Sequence, residues 1–184
     1  MNALAPISRR LLIAAMASAL LPAAALAADR AALDRDARAA LQKLTSTVPA
    51  AKSLSTSAAA VLVFPKVTKA GLGVGGQYGD GVLFRQGKVA GYYNTAGASF
   101  GLQAGAQQFG YAMFMMNDKA LGALGANEGF EVGVGPSVVV VDEGKAKSMT
   151  TTTAKDDIYA FIFGQKGLMA GLGIQGNKIT RLKD

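Results

Sequence analysis

The chain has 184 residues, with 19 Lys and Arg against 12 Asp and Glu, giving a formal net charge of +7. That length is one domain's worth of protein. The absence of His and Cys excludes Ser-His-Asp triads, Cys-His pairs, imidazole acid-base chemistry and thiolate or imidazole zinc sites, leaving carboxylate, Lys and Tyr chemistry.

In chain order, Arg9 and Arg10 precede the apolar run Leu11 to Leu21, then Pro22 and an A-x-A site at Ala25-Leu26-Ala27. The pattern reads as a secretory signal peptide over residues 1–27. An uncleaved anchor is the competing reading, but the run is interrupted by Pro22 and is shorter than the ~20 apolar residues of a spanning helix. Ser8 to Leu12 loosely resembles a twin-arginine signal, and the export route stays open. The mature segment, residues 28–184, keeps a net charge of +5 because the leader removes two arginines and no acid. With no Cys to form disulfides, its stability has to come from packing. Export would place it in the periplasm or outside the cell.

From Asp29, the positions Leu33, Ala37, Ala40, Leu41 and Leu44 recur at helical spacing, which predicts an amphipathic helix with Asp29 as its N-cap and an Asp34 to Arg38 pair on its surface. A second short helix is expected over Ala50 to Ala60. Beyond it the texture changes. All 23 glycines lie between Gly71 and Gly176, interleaved with Val, Leu, Phe, Tyr and Met in runs that read as strands. Val61 to Phe64 ends at Pro65. Ser99 to Gln107, Tyr111 to Met116, Phe130 to Val141 and Ile158 to Phe163 are further strands, about ten short ones in all. Turns at 85–88, 142–145 and 175–178 imply antiparallel neighbours. Asn117 caps a helix from Lys119 to Leu124. Glycine at this density means bulges, close backbone approach or strong curvature. The fold class is therefore α+β: antiparallel β-rich sheets, a sandwich or barrel-like β/β/α layering, with an N-terminal amphipathic helix and short helices packed on them.

Several motifs fail on chemical grounds. Gly71 to Gly76 and Gly171 to Gly176 both satisfy G-x-G-x-x-G, but neither is followed by the helix whose N-terminus would meet a pyrophosphate. The echo between Ala70 to Val74 and Ala170 to Ile174 reads as shared strand composition. Gly97 to Gly101 fits G-x-S-x-G without any His to serve as base. The acid pairs Asp156-Asp157, Glu128 with Glu131 and Asp142-Glu143 sit at turns and helix starts, where solvated or capping roles are the ordinary ones. Tyr111 to Met116 is either a lipid pocket lining or a strand buried on both faces. No cofactor and no metal is expected.

Charge gives the positive hint. Between Asp36 and Asp80 there is no acid, while Arg38, Lys43, Lys52, Lys66 and Lys69 supply five cations. Near an anionic membrane each contributes about 1 kcal/mol; scattered solubility charge is the alternative. Nucleic acid is disfavoured because aromatic side chains are sparse among the basic ones.

The run AAAVLVFPKVTKAGLGVGGQYGDGVLFRQGKVAGYYNTAGASFGLQAGAQ, ending at Gln107, then FMMNDKAL at Phe114 to Leu121, FEVGVGPSV at Phe130 to Val138, DDIYAF at Asp156 to Phe161 and KGLMAGLGIQG at Lys166 to Gly176 resemble the SYLF domain family in order and spacing. The resemblance spans Thr45 to Arg181. It implies a non-catalytic lipid-binding module, since eukaryotic relatives bind phosphoinositides and other anionic lipids and one also binds actin filaments. It implies a membrane-contacting amphipathic helix at the N-terminal end, which Asp29 to Leu44 matches by position, and bacterial members that are typically exported. The paired-lysine K-K-x-x-K-K element associated with actin binding is reduced to Lys66-Val67-Thr68-Lys69, so actin is not an expected partner.

The expected function is binding of anionic phospholipids or phosphoinositide-like head groups by an exported, basic, peripheral domain. Candidate head-group residues are Lys52, Lys66, Lys69, Arg85 and Lys88, with Tyr92 and Tyr93 as interfacial contacts or, alternatively, core pairs. Arg30, Leu33, Arg35, Arg38, Leu41, Lys43 and Leu44 are the candidate membrane-contact residues of the helix. The rival is an envelope structural or protein-interaction module that oligomerises or docks a partner. An enzyme is the third possibility.

Overall fold

Alternation in the apolar runs decides which residues share a face, and the computed structural model shows both faces of the sheet to be used. Residues 29–125, 129–141, 145–146, 149, 154–164, 167–168 and 173–183 are described, without the side chains of 72–73, 99–105 and 167–168. The chain divides into Met1–Ala32 and Leu33–Asp184. In the first unit, residues 29–32 are helical; the expected leader lies outside the described residues. The second unit runs α1 (33–47), α2 (Pro49–Ser57), β1 (Ala60–Arg85), β2 (Lys88–Met115), α3 (Asp118–Leu124), β3 (Phe130–Glu131), β4 (Val138–Val141), β5 (Ile158–Gly164), β6 (Gly167–Leu168) and β7 (Lys178–Arg181).

The fold class is α+β, with one curled, mostly antiparallel sheet and helices packed on it. Two expectations change. The short strands predicted between Val61 and Met116 are two very long ones, β1 and β2, paired antiparallel from Ala60 with Met115 to Arg85 with Lys88. Pro65 does not end β1, because the register shifts between Phe64 and Val67; at such a bulge a residue without an N–H leaves no ladder bond unmade. The antiparallel neighbour expected after VVVV is not found among the described residues: β4 lies parallel to β5, residues 145–146 are helical, and 142–144 of the expected turn lie outside the described residues. Likewise Phe130 to Val141 is two short strands separated by turns. The turn at 85–88 is as expected, with Gln86 at φ 51° and Gly87 at φ 74°, the left-handed pair of a type I′ hairpin.

The long hairpin bends between residues 71 and 75, so β1 returns over itself. A Cβ placed on Gly79 would lie 2.6 Å from the Lys66 carbonyl, and one on Gly81 would lie 2.7 Å from the Val63 carbonyl and 2.6 Å from the Phe64 ring. Backbone therefore rests on backbone, which is the close approach implied by glycine density. Along one half of the hairpin β2 pairs with β5, and along the other with β7.

Period-two alternation then splits the core. Leu62, Phe64, Tyr111, Met113, Ile158, Ala160 and Ile162 form the inner layer, joined by Leu124 of α3 and Ile179 of β7. Val61, Val63, Ala112, Phe114, Tyr159 and Phe161 form the outer layer, covered by Ala37 and Leu44 of α1 and Ala50, Ala51 and Leu54 of α2. Tyr111 to Met115 is thus buried on both faces, the second of its two expected readings. Asn117 caps α3, its side chain accepting from the Ala120 N–H at 3.0 Å.

Candidate functional site: cationic groups flanking the first helix

The apolar stripe of α1 faces the sheet. Ala37 and Leu44 are buried, and Leu33, Ala40 and Leu41 pack against the same outer core. Leu44, expected at the membrane, is thus spent on the core, while Leu33 and Leu41 are half-buried against it. At the end of the helix, the hydroxyls of Thr45 and Thr47 donate to the carbonyls of Leu41 and Lys43 at 3.0 and 2.8 Å. These are i to i−4 back-bonds, which share carbonyls that the helix ladder already uses. Pro49 opens α2 at a position where its missing N–H costs nothing.

Two polar contacts seat α1 on the hairpin. Tyr92 donates to Asp34 Oδ2 at 3.2 Å, and Arg38 donates to the Gly87 carbonyl at 3.0 Å while its guanidinium lies 4.8 Å from the Phe84 ring centre. A guanidinium over an aromatic face gains from the ring quadrupole. Arg38 therefore joins the exposed turn cations Arg85 and Lys88. Five residues further along α1, a rise of about 7.5 Å, Lys43 shares an open groove of about 380 Å³ with Lys66 of the β1 bulge. Its apolar lining includes Leu44, Val48, Pro65, Phe109 and Phe163. Five residues also carry the helix about 140° past a full turn, so the two cationic groups lie on opposite flanks of α1, one at the hairpin tip and one at the bulge groove.

The other expected residues fall elsewhere. Lys52 is exposed on α2, Arg35 is exposed on α1, and Arg30 lies in the helical residues 29–32. Lys69 pairs with Gln107, two residues beyond the Val67 to Phe109 pair of the inner core; alternation puts Lys69 on that face, opposite to Lys66. The K-x-x-K pair is thus not one patch. Tyr93 is 3% exposed and sits in the inner core, where burial pushes its hydroxyl up despite nearby Arg181. Tyr92 packs under α1. Tyr93 takes the core reading, and Tyr92 is half-buried beside α1. Sequence reading missed Thr47, Val48, Gln108, Phe109 and Phe163 as groove residues, since nothing in their spacing brings them together.

A second open groove of about 590 Å³, between α1, α2 and the hairpin tip, has Arg38, Gln42, Thr45, Ser55 and Thr56 among its lining. Asp157 is built into the scaffold: it accepts from Asn117 at 2.8 Å, Lys119 at 2.7 Å and the Ser137 N–H at 2.9 Å. These bonds, Lys119's first, hold its carboxyl well below the usual range. In the inner core, Tyr111 donates to Thr95 at 2.7 Å, Asn177 donates to Thr95 at 3.4 Å and Gln77 donates to Asn177. Desolvation pushes the Tyr111 hydroxyl far above its usual value.

Among the described residues no cluster of metal-ligating side chains occurs, and no helix is long and apolar enough to cross a membrane. The first G-x-G-x-x-G copy lies inside β1 and G-x-S-x-G inside β2, neither at a helix start or elbow. Part of the second copy and of the Ala170 echo lies outside the described residues. No curated protein matches the chain significantly. Residues 96–184 match the family model described as Ysc84, Las17-binding protein actin regulator, which is consistent with the SYLF domain family that the sequence motifs resemble.

Proposed function

We propose that the chain is a non-catalytic, exported module that binds anionic lipid head groups peripherally at a membrane surface. The observation that carries the reading is the pair of cationic groups flanking α1: Arg38 bonded to the hairpin tip that Arg85 and Lys88 bracket on one side, and Lys43 and Lys66 lining one groove on the other. Each Lys or Arg near an anionic surface adds about 1 kcal/mol, so four or five acting together give reversible attachment that weakens with salt. The family match supports binding as the general class of activity.

The test is co-sedimentation of the protein with neutral, anionic and phosphoinositide-containing vesicles at low and high salt. Salt-sensitive binding to anionic vesicles, lost when Arg85, Lys88 and Lys66 are changed to Glu, is the expected result. Equal binding to neutral and anionic vesicles, or none, sinks the reading.

A protein-interaction role is favoured by a different observation. Val74 and Tyr78 are 67% and 57% exposed near the bend of β1, and exposed apolar groups in proximity are a docking feature. A mass that rises with concentration, without lipid affinity, supports that alternative.

A further inference from the structure

The groove at the β1 bulge has more than charge. One wall is α1 with Lys43 and Thr47, and another is the β1 bulge with Pro65 and Lys66. Leu44, Val48, Phe109 and Phe163 contribute apolar lining. Both lysines are exposed, and among the described residues no acidic side chain lines the groove. Its volume, about 380 Å³, falls at the lower end of small-molecule sites, roughly 300–1,000 Å³. Such a space accepts one acyl chain and not two.

The chemistry of the rim narrows the head group. Lysine is a compact point charge without the planar fork by which Arg grips phosphate in bidentate fashion. Among the described residues no arginine lines this groove; Arg38 lines the other one. Two ammonium groups above an apolar floor suit a small monoanion at the end of a hydrocarbon chain, because the chain is removed from water while the charge stays near the rim.

We infer that this groove holds one molecule of a long-chain carboxylate, its charge between Lys43 and Lys66 and its chain along Leu44, Val48, Phe109 and Phe163. The inference rests on the proposed lipid-binding reading for its class of ligand and deepens it from a surface to a single-molecule site.

Calorimetric titration of the protein with decanoate below its micelle range, decan-1-ol and acetate tests it. Decanoate is expected to fill one saturable site, decan-1-ol to bind at least tenfold more weakly, and acetate not to bind. Lys43→Gln with Lys66→Gln should weaken decanoate at least tenfold. Thr47→Trp should fill the groove and abolish decanoate binding while vesicle binding persists; circular dichroism checks its fold, and the lysine pair decides if it does not fold. Absence of a saturable decanoate site, or decanoate binding that folded Thr47→Trp leaves intact, overturns the inference. If anionic vesicles still bind in that case, the surface reading survives; if they do not, both fall.

Discussion

On its inner face the sheet packs backbone against backbone through glycines, with aromatic rings such as Phe64 and Tyr111, 4.7 Å apart, filling what remains. On its outer face it carries ordinary side chains, and two helices lie across them. The difference teaches where variation is tolerated. A layer closed by backbone contact has no room to give, whereas a layer closed by helices can lose a methyl group or exchange an exposed cation and keep its geometry. The binding surface proposed above belongs to the second kind.

Changing Gly81 to Val is the strongest way to break the inner layer. Its Cβ would meet both the Val63 carbonyl and the Phe64 ring, and a backbone obstacle takes the cost beyond the ~1–3 kcal/mol of ordinary overpacking. Circular dichroism should show no cooperative unfolding transition; a well-folded variant would refute the backbone-contact account. Leu54→Ala in the outer layer removes a fully buried side chain and should cost about 2–4 kcal/mol in chemical denaturation, leaving a folded sheet.

Tyr111→Phe removes the shorter of the two hydrogen bonds that the buried Thr95 hydroxyl accepts and should cost about 0.5–1.5 kcal/mol. It also tests a pH effect. Burial raises the Tyr111 hydroxyl, so the stability it contributes is complete below about pH 10 and declines above, where the unfolded chain ionises first. The Phe variant should lose that alkaline decline. Asp157→Asn probes the acid side. Because the folded carboxyl is depressed, its contribution is present above the ordinary Asp value of about 3.9 and fades as pH falls towards the lowered one. The variant should melt below the native chain at pH 7, and the gap should close in strong acid.

The smallest effect on stability comes from the outer cations. Lys66→Glu should change stability by no more than about 0.5 kcal/mol yet weaken anionic-vesicle binding several-fold, while Lys69→Glu, on the opposite face, should weaken it less. Equal effects of the two would erase the distinction between the faces.

Much of this was legible in the chain. The helical spacing of Leu33 to Leu44 marks the α1 stripe, Asn117 marks the cap of α3, and Gln86-Gly87 marks the hairpin tip, because each signal acts within a few residues. The lengths of β1 and β2 were not legible: Pro65 and the glycines look like strand ends locally, and only a paired partner strand shows that the ladder continues through a bulge and a bend. The parallel pairing of β4 with β5 was likewise hidden, since its register depends on a distant strand.

The site divides in the same way. Composition excluded the imidazole and thiolate chemistries and supplied an acid-free run of cations, facts of inventory that no fold can alter. Tertiary structure decided that Lys43 and Lys66 line one groove with an apolar lining, that Lys69 turns to the other face, and that Tyr93 and Leu44 are spent on the core. Those outcomes depend on strand register and helix docking, which join residues far apart in sequence, and period-two alternation turns a single-residue shift in register into a change of face.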